Sequence, residues 1–255
     1  MKQMKELKLS DIYDFLDKGF AILYSSQIEI LDKLQLKILL GDIKNPYLIR
    51  VKNDLLVSDF IRSMLDEYLS QSQNYIFEEL LKGLAIFICQ KVYKGRKSST
   101  TGIDLEFDKE GIRYIISIKS GPSWGNSRAV YKMISNFNSA RKILRTSNSK
   151  INVVAVNGCC YGRDNKPYKE KGDYFKYCGQ QFWEFISGNE NLYTEIIEPL
   201  GHKAKERNEE FVVAYAQIIN KFSLDFMNEF CIDGKVDWKK LVKFNSGKEK
   251  FERNK

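Results

Sequence analysis

The 255 residues carry a net charge of +8 and are 43% hydrophobic, which excludes a disordered chain and allows a sizeable core. No apolar run approaches the roughly 20 residues of a membrane-spanning helix, and the N-terminus has charges where a signal peptide needs an apolar stretch. Five cysteines, an odd number, favour a reducing compartment, so we expect a cytoplasmic protein. The single histidine, His202, excludes a two-histidine metal site.

Three helices are predicted in the first 90 residues. Ser10 and Ser58 can each cap a helix that carries apolar residues on one face, and a third helix is predicted from about Tyr75 to Val92. The third helix is apolar on nearly all sides in its second half, so we expect it to be buried.

The pattern changes after this helix. Ile103–Phe107 alternates as a strand, Asp108–Gly111 (DKEG) is typical of a hairpin turn, and Arg113–Lys119 is a second predicted strand. Ser127 can cap an amphipathic helix, and the apolar run Ile151–Val156 predicts a central strand that is covered on both faces. The order helix, strand, strand, helix, strand predicts an α/β fold with a mixed central sheet flanked by helices.

No internal repeat and no Pro- or Ser-rich linker marks a domain boundary, so we predict a single domain over residues 1–255. A polar loop at 157–176 separates the predicted strands from further helices towards the C-terminus. The predicted parts are a helical N-terminal part (1–74), a core (75–160), and a last part (161–255) with the polar loop and C-terminal helices.

The first predicted strand carries two acidic residues at alternate positions, and the second carries a serine and a lysine at alternate positions. Asp104 and Glu106 lie two residues apart, so we expect both to project from one face, and Ser117 and Lys119 do the same on the next strand. If the turn pairs these strands, the carboxylates and the ammonium converge. Mg²⁺ takes one or two protein carboxylates and keeps several waters, so the arrangement suits phosphodiester hydrolysis. Alternatively, the acids line the solvated side of a hairpin and Lys119 is an ordinary lysine at a strand end.

Positive charge is concentrated in the middle of the chain. Residues 91–171 hold 17 Lys and Arg against 6 Asp and Glu, a net charge of +11, and the rest of the chain sums to −3. Such a concentration favours a face that binds a polyanion, whereas a solvated lysine-rich surface would give the same count.

Two segments at the predicted site resemble a known family. TGIDLEF and IISIKSGPSWGNS look like type II restriction endonucleases of the PD-(D/E)XK superfamily, and more narrowly like the subgroup that cuts GGNCC-like palindromes. The order of predicted elements matches the common core of that superfamily. The later segments CCYG and YCGQQFWEFISG also resemble this subgroup, so the resemblance covers about residues 75–200.

Position by position, the resemblance implies that Asp104 is the first metal-binding acid and Lys119 the catalytic lysine. Ser117 departs from the pattern, which has Asp or Glu there, and a serine cannot supply an anionic oxygen. Residues 127–145 contain no acid, so a second catalytic and metal-binding acid must come from elsewhere. The candidates are Glu106 on the strand, and Glu79 or its neighbour Glu78 on the preceding helix.

DNA recognition needs its own polar groups, since Arg and Lys read guanine and Asn and Gln read adenine in the major groove. Arg163, Asn165 and Lys166 make the polar loop after the central strand the predicted recognition loop, and Gln180 and Gln181 are further candidates. The other residues expected to contact DNA, mainly at its phosphates, are Lys94, Arg96, Lys97, Asn126 and Arg128.

These observations predict a type II restriction endonuclease that hydrolyses double-stranded DNA at a short palindrome. The resemblance implies one or two Mg²⁺ ions, products with 5′-phosphates and a partner DNA methyltransferase, and a palindromic target implies a homodimer. Two alternatives remain: a non-specific or repair nuclease of the same fold, and a catalytically inactive DNA-binding protein, for which Ser117 is the supporting feature.

Trp124 either packs beneath the loop that carries it or contacts DNA.

Overall fold

The computed structural model describes residues 7–41, 45–52, 56–147, 150–164, 171–206 and 208–248. The chain divides into two compact units: a sheet unit formed by Met1–Gly19 and Phe77–Ala204, and a helical unit formed by Phe20–Ile76 and Lys205–Lys255. No helix of the described residues is both long and apolar enough to cross a membrane. That the two units act as the single domain expected from the sequence stays a prediction.

Ten helices and seven strands make up the described part of the chain. The helices are α1 (Leu9–Lys33), α2 (Leu36–Gly41), α3 (Pro46–Lys52), α4 (Val57–Tyr93), α5 (Ser127–Ser147), α6 (Gln180–Ser187), α7 (Leu192–Glu195), α8 (Ile197–Glu206), α9 (Asn208–Phe230) and α10 (Trp238–Ser246). The strands are β1 (Arg96–Lys97), β2 (Leu105–Lys109), β3 (Ile112–Lys119), β4 (Asn152–Cys159), β5 (Phe175–Cys178), β6 (Cys231–Ile232) and β7 (Lys235–Val236).

The sheet unit contains a five-stranded mixed sheet in the order β1-β2-β3-β4-β5. The pairs β1-β2 and β2-β3 are antiparallel, whereas the pairs β3-β4 and β4-β5 are parallel. The predicted mixed sheet flanked by helices is therefore confirmed. The edge strands β1 and β5 were not expected, because they lie at least partly in segments whose polar composition indicates loops.

A tight turn at Glu110–Gly111 joins β2 to β3. Both residues have a positive φ, 53° and 79°, as the two-residue hairpin turns that match the twist of paired strands require. Lys109 pairs with Ile112 across the turn, so the predicted hairpin is confirmed. The strand β2 begins two residues later than the sequence indicates, and Asp104 precedes it.

Helix α4 is a single helix of 37 residues where the sequence predicts two, one capped by Ser58 and one from Tyr75. The polar stretch between them, SQSQN, contains neither Gly nor Pro, so no residue in it ends the first helix. The boundary between the two units falls inside α4, between Ile76 and Phe77. One helix thus contributes side chains to both units.

Both faces of the sheet are covered. Met133 and Phe137 of α5 are buried in one cluster with Ile115 of β3, at the spacing of one helix face. On the other face, Phe107 of β2 stacks on Tyr93 of α4, with the ring centroids 5.3 Å apart. The sheet therefore packs between α5 on one face and α4 on the other.

The helical unit has a separate hydrophobic core. Buried side chains of α4 and α9 meet there, including Leu65, Leu69, Phe222 and Phe226. Partly buried residues of α10 and of the hairpin β6-β7 pack against the same cluster. Packing between helices therefore forms most of the core of this unit.

Strand β4 passes close to α6 at Gly158. A Cβ atom there would lie 2.2 Å from Cε2 of the fully buried Phe182. We expect Gly158→Ala to lower the free energy of unfolding by about 1–3 kcal/mol, because overpacking forces the ring or the backbone to shift. Denaturation by urea measures this change.

Gly201→Ala is the matched control, since a Cβ atom at Gly201 of α8 meets nothing within 4 Å. Alanine is the better helix former, so this variant should be as stable as the wild type or more stable by up to about 1 kcal/mol. Equal free energies of unfolding for the two variants would contradict the close packing at Gly158.

Candidate active site

An open cleft of about 240 Å³ lies in the sheet unit, between α4 and the end of β3. The cleft combines charged side chains of one helix face with the last residues of a central strand and the loop that follows it. Its lining residues are Glu78, Glu79, Lys82, Ile118, Lys119, Ser120 and Trp124.

Asp104 is held at the edge of this cleft by contacts at both carboxylate oxygens. Oδ2 accepts a hydrogen bond from the backbone N–H of Ile118 at 2.7 Å, and Oδ1 lies 3.6 Å from Nζ of Lys82. The backbone N–H of Asp104 donates to the carbonyl oxygen of Ile116 at 2.8 Å. Because Ile118 and Lys82 both line the cleft, the Asp104 carboxylate is brought beside it.

The ammonium group of Lys82 lies between two carboxylates. Its Nζ is 2.6 Å from Oε1 of Glu79, one turn earlier on α4, and 3.6 Å from Oδ1 of Asp104. Partial burial lowers the pKa of Lys82, but the hydrogen bond to Glu79 and the charge of Asp104 outweigh burial, so the net shift of this pKa is upward. The sequence analysis missed Lys82, although its i, i+3 spacing from Glu79 was a usable signal.

Two polar groups complete the strand side of the cleft. Ser120 donates a hydrogen bond from Oγ to Oε1 of Glu78 at 2.7 Å, so this second glutamate also faces the end of β3. Ser117, where the family pattern has an acid, is 2% exposed, and its carbonyl oxygen accepts a hydrogen bond from Nδ2 of Asn157 at 3.2 Å. The position is therefore occupied by a small buried side chain.

Glu106 contacts a different set of residues. Arg96 donates from Nη2 to its Oε2 at 3.1 Å, Nη1 of Arg113 lies 3.6 Å from the same oxygen, and Ser98 donates to Oε1. Its side chain is only 6% exposed. Because β2 starts at Leu105, the alternation of the strand does not extend back to Asp104. Asp104 and Glu106 thus contact separate sets of residues, and Asp104 is brought close to Glu79 of α4 through Lys82.

Lys119 is the last residue of β3, and its ammonium group lies over an aromatic ring. Its Nζ is 4.7 Å from the ring centroid of Trp124, within the range of a cation–π contact. Both side chains line the cleft together with Glu79. The structure thus brings Lys119, Glu79 and, through Lys82, Asp104 together.

The donor groups of the cleft fit a small divalent ion. Among the described residues, no three or more His, Cys, Asp or Glu side chains are grouped so that they could hold a metal ion. Mg²⁺, however, needs only one or two protein carboxylates and keeps several waters. Asp104 and Glu79 supply two carboxylates, and both already contact one cation, the ammonium of Lys82.

Several of the side chains predicted to contact DNA are exposed in the sheet unit. Arg96 is exposed, but its guanidinium group pairs with Glu106. Asn126 accepts a hydrogen bond at Oδ1 from the backbone N–H of Ala129 at 3.1 Å, so Asn126 rather than Ser127 caps α5. The other exposed residues of this set are Lys94, Lys97, Arg128 and Arg163.

The predicted recognition loop is described only in part. Asn165 and Lys166 lie outside the described residues. Gln180 is exposed and donates from Nε2 to the carbonyl oxygen of Glu190 at 3.3 Å, and Gln181 is half-buried. The contact of these side chains with DNA stays a prediction.

Comparison with known proteins identifies the family. A family model described as type II restriction endonuclease EcoO109I matches residues 10–208, which include the whole five-stranded sheet and every residue that lines the cleft. Among curated proteins, none is significantly similar in sequence. Because the family model covers most of the chain, the protein belongs to the EcoO109I family of type II restriction endonucleases and is a site-specific deoxyribonuclease.

Proposed function

We propose that the cleft at the end of β3 is the active site, and that the protein hydrolyses double-stranded DNA at a short palindrome with Mg²⁺ as cofactor. One observation carries this proposal: the carboxylates of Asp104 and Glu79 meet at the ammonium of Lys82, in a cleft that Lys119 also lines, in a chain of a restriction endonuclease family. Endonucleases of this family generally use a divalent metal. A GGNCC-like target and 5′-phosphate products belong to the proposal through the resemblance of the sequence.

Asp104 and Glu79 are the residues that would hold the metal ion. When bound, Mg²⁺ stabilises negative charge on phosphate oxygens and activates a water molecule. The hydrogen bond from Ile118 fixes Oδ2 of Asp104. The other oxygen, Oδ1, lies near the ammonium of Lys82, where the metal ion would bind. Lys119 binds an oxygen of the scissile phosphate or the attacking water, because its ammonium group lies in the same cleft.

We assign the second acid to Glu79 rather than Glu106. Glu79 lines the cleft and is 49% exposed, so its carboxylate can exchange its lysine partner for a metal ion. The carboxylate of Glu106 is almost fully buried and already balanced by Arg96 and Arg113. Removing it from those partners would cost the energy of a buried ion pair.

The proposal extends to the partners of the enzyme. A palindromic target is read most simply by two copies of the chain related by a two-fold axis, so we propose a homodimer. The restriction-modification context implies a DNA methyltransferase that protects the same sequence in the host.

The odd number of cysteines favours the cytoplasm as the compartment.

Wild-type protein incubated with unmethylated phage DNA and Mg²⁺ is expected to give discrete fragments with identical end sequences. Lys119→Ala and Asp104→Asn should each lower the cleavage rate by about 10²- to 10³-fold, because the first removes a positive charge from the reacting phosphate and the second a ligand of the metal ion. Gel analysis of fragments and sequencing of their ends measure both effects. Lys18→Ala, which removes an exposed lysine of α1, is the control and should cleave as the wild type does.

Three outcomes of this experiment would contradict the proposal. A smear of fragments would indicate a nuclease without sequence preference. Binding of DNA without any cleavage in Mg²⁺ would indicate an inactive DNA-binding protein. Full activity of Lys119→Ala would show that the cleft is not the active site.

Glu79→Gln and Glu106→Gln separate the two candidates for the second acid. We expect Glu79→Gln to weaken Mg²⁺ binding and to change the free energy of unfolding by less than about 0.5 kcal/mol, because the side chain is half exposed. Glu106→Gln should keep Mg²⁺ binding but lose about 1–3 kcal/mol of stability, because Arg113 and Arg96 lose a buried charged partner.

Titration calorimetry with Mg²⁺ and urea denaturation give the two readouts for each variant. Loss of Mg²⁺ binding in Glu106→Gln, with normal binding in Glu79→Gln, would place the second acid on the strand instead of on α4.

A further inference from the structure

The indole of Trp124 is anchored to the central strands. Its Nε1–H donates a hydrogen bond to Oδ1 of Asn157 on β4 at 3.1 Å. Asn157 is 1% exposed, and its Nδ2 donates to the carbonyl oxygen of Ser117 on β3 at 3.2 Å. One buried amide thus ties the Trp124 ring to β4 and to β3, the strand whose end lines the cleft.

Further contacts restrict the ring and the loop that carries it. Trp124 packs against the buried cluster that contains Phe137 of α5. In the loop that carries it, the carbonyl oxygen of Pro122 accepts a hydrogen bond from Nζ of Lys176 at 2.9 Å. Gly162 lies so close to this loop that a Cβ atom there would be 2.4 Å from Cδ of Pro122. The position of the indole therefore follows from the packing of the protein itself.

The anchored ring presents one face to Lys119, with Nζ 4.7 Å from the ring centroid. A lysine at a strand end has a flexible stem and loses rotamer entropy when a single conformation is selected. A fixed aromatic face attracts the ammonium group and reduces the number of positions it occupies. Trp124 supplies this face inside the cleft.

We propose that Trp124 is a positioning residue for Lys119: its indole, fixed by Asn157, holds the lysine ammonium at the place in the cleft where the scissile phosphate binds. This inference rests on the proposed function of Lys119. It assigns Trp124 no contact with the DNA, so direct contact with a base or phosphate is an outcome that the experiment can reveal.

The first test compares Trp124→Leu, Trp124→Phe and the wild type in cleavage kinetics and in DNA binding, the latter with Ca²⁺ in place of Mg²⁺. Trp124→Leu removes the aromatic face and should lower kcat by about tenfold, with KM and DNA affinity changed by less than about twofold. Trp124→Phe keeps a ring and should stay within about threefold of the wild-type kcat. Trp238→Leu is the control, because it removes an indole that faces Arg50 in the helical unit and should leave kcat unchanged.

The second test is independent of cleavage. In protein labelled with ¹³C at lysine Cε, the Lys119 resonance is identified by its loss in Lys119→Ala. The ring current of the aromatic side chain at position 124 should move this resonance upfield in the wild type and by less in Trp124→Phe, and the displacement should vanish in Trp124→Leu. This shift reports that the ammonium lies over the ring, and the kcat values of the first test report whether that position matters for cleavage.

Two results would overturn the inference: a fall in DNA affinity without a fall in kcat for Trp124→Leu, or a Lys119 resonance that is the same in all three proteins. If Trp124→Leu does not fold, the resonance in the wild type decides, and an ordinary lysine shift there overturns the inference. Full activity of Lys119→Ala would instead contradict the proposed function, whereas the resonance would still report whether Trp124 holds the ammonium.

Discussion

The hydrogen bond from the backbone N–H of Ile118 to Asp104 is the contact on which the arrangement of the cleft depends. Asp104 precedes β2, so the strand ladder alone does not fix its side chain. A charged acceptor bound by a backbone donor is held firmly, since such bonds are stronger than neutral ones. With Oδ2 fixed, Oδ1 points to Lys82, and the helix α4 brings Glu79 to the same ammonium.

Much of the sheet could be predicted from the sequence, because the relevant signals are local. Alternating side chains and the Glu110–Gly111 turn define β2 and β3 within a few residues, and the apolar run after α5 defines β4. The short edge strands have no such signal. β1 contains only two residues, and β5 follows a polar loop, so their pairing is a property of the folded chain.

The choice between Glu106 and Glu79 could not be predicted, because it depends on long-range contacts. The spacing of Asp104 and Glu106 indicates one shared face, but this holds only if both residues belong to the strand, and β2 begins between them. Arg113 reaches Glu106 only through strand pairing. Glu79 meets Asp104 through Lys82 only because α4 packs on the sheet, which no local pattern of residues reveals.

The ion pairs of Glu106 also change how the basic middle of the chain meets a polyanion. A cation that binds a phosphate releases condensed counterions, and the number of such contacts sets how steeply affinity falls with ionic strength. Arg96 and Arg113 share the charge of Glu106, so they are partly neutralised before any DNA arrives. The dependence of DNA affinity on salt concentration should therefore be shallower than the count of lysines and arginines in this segment suggests.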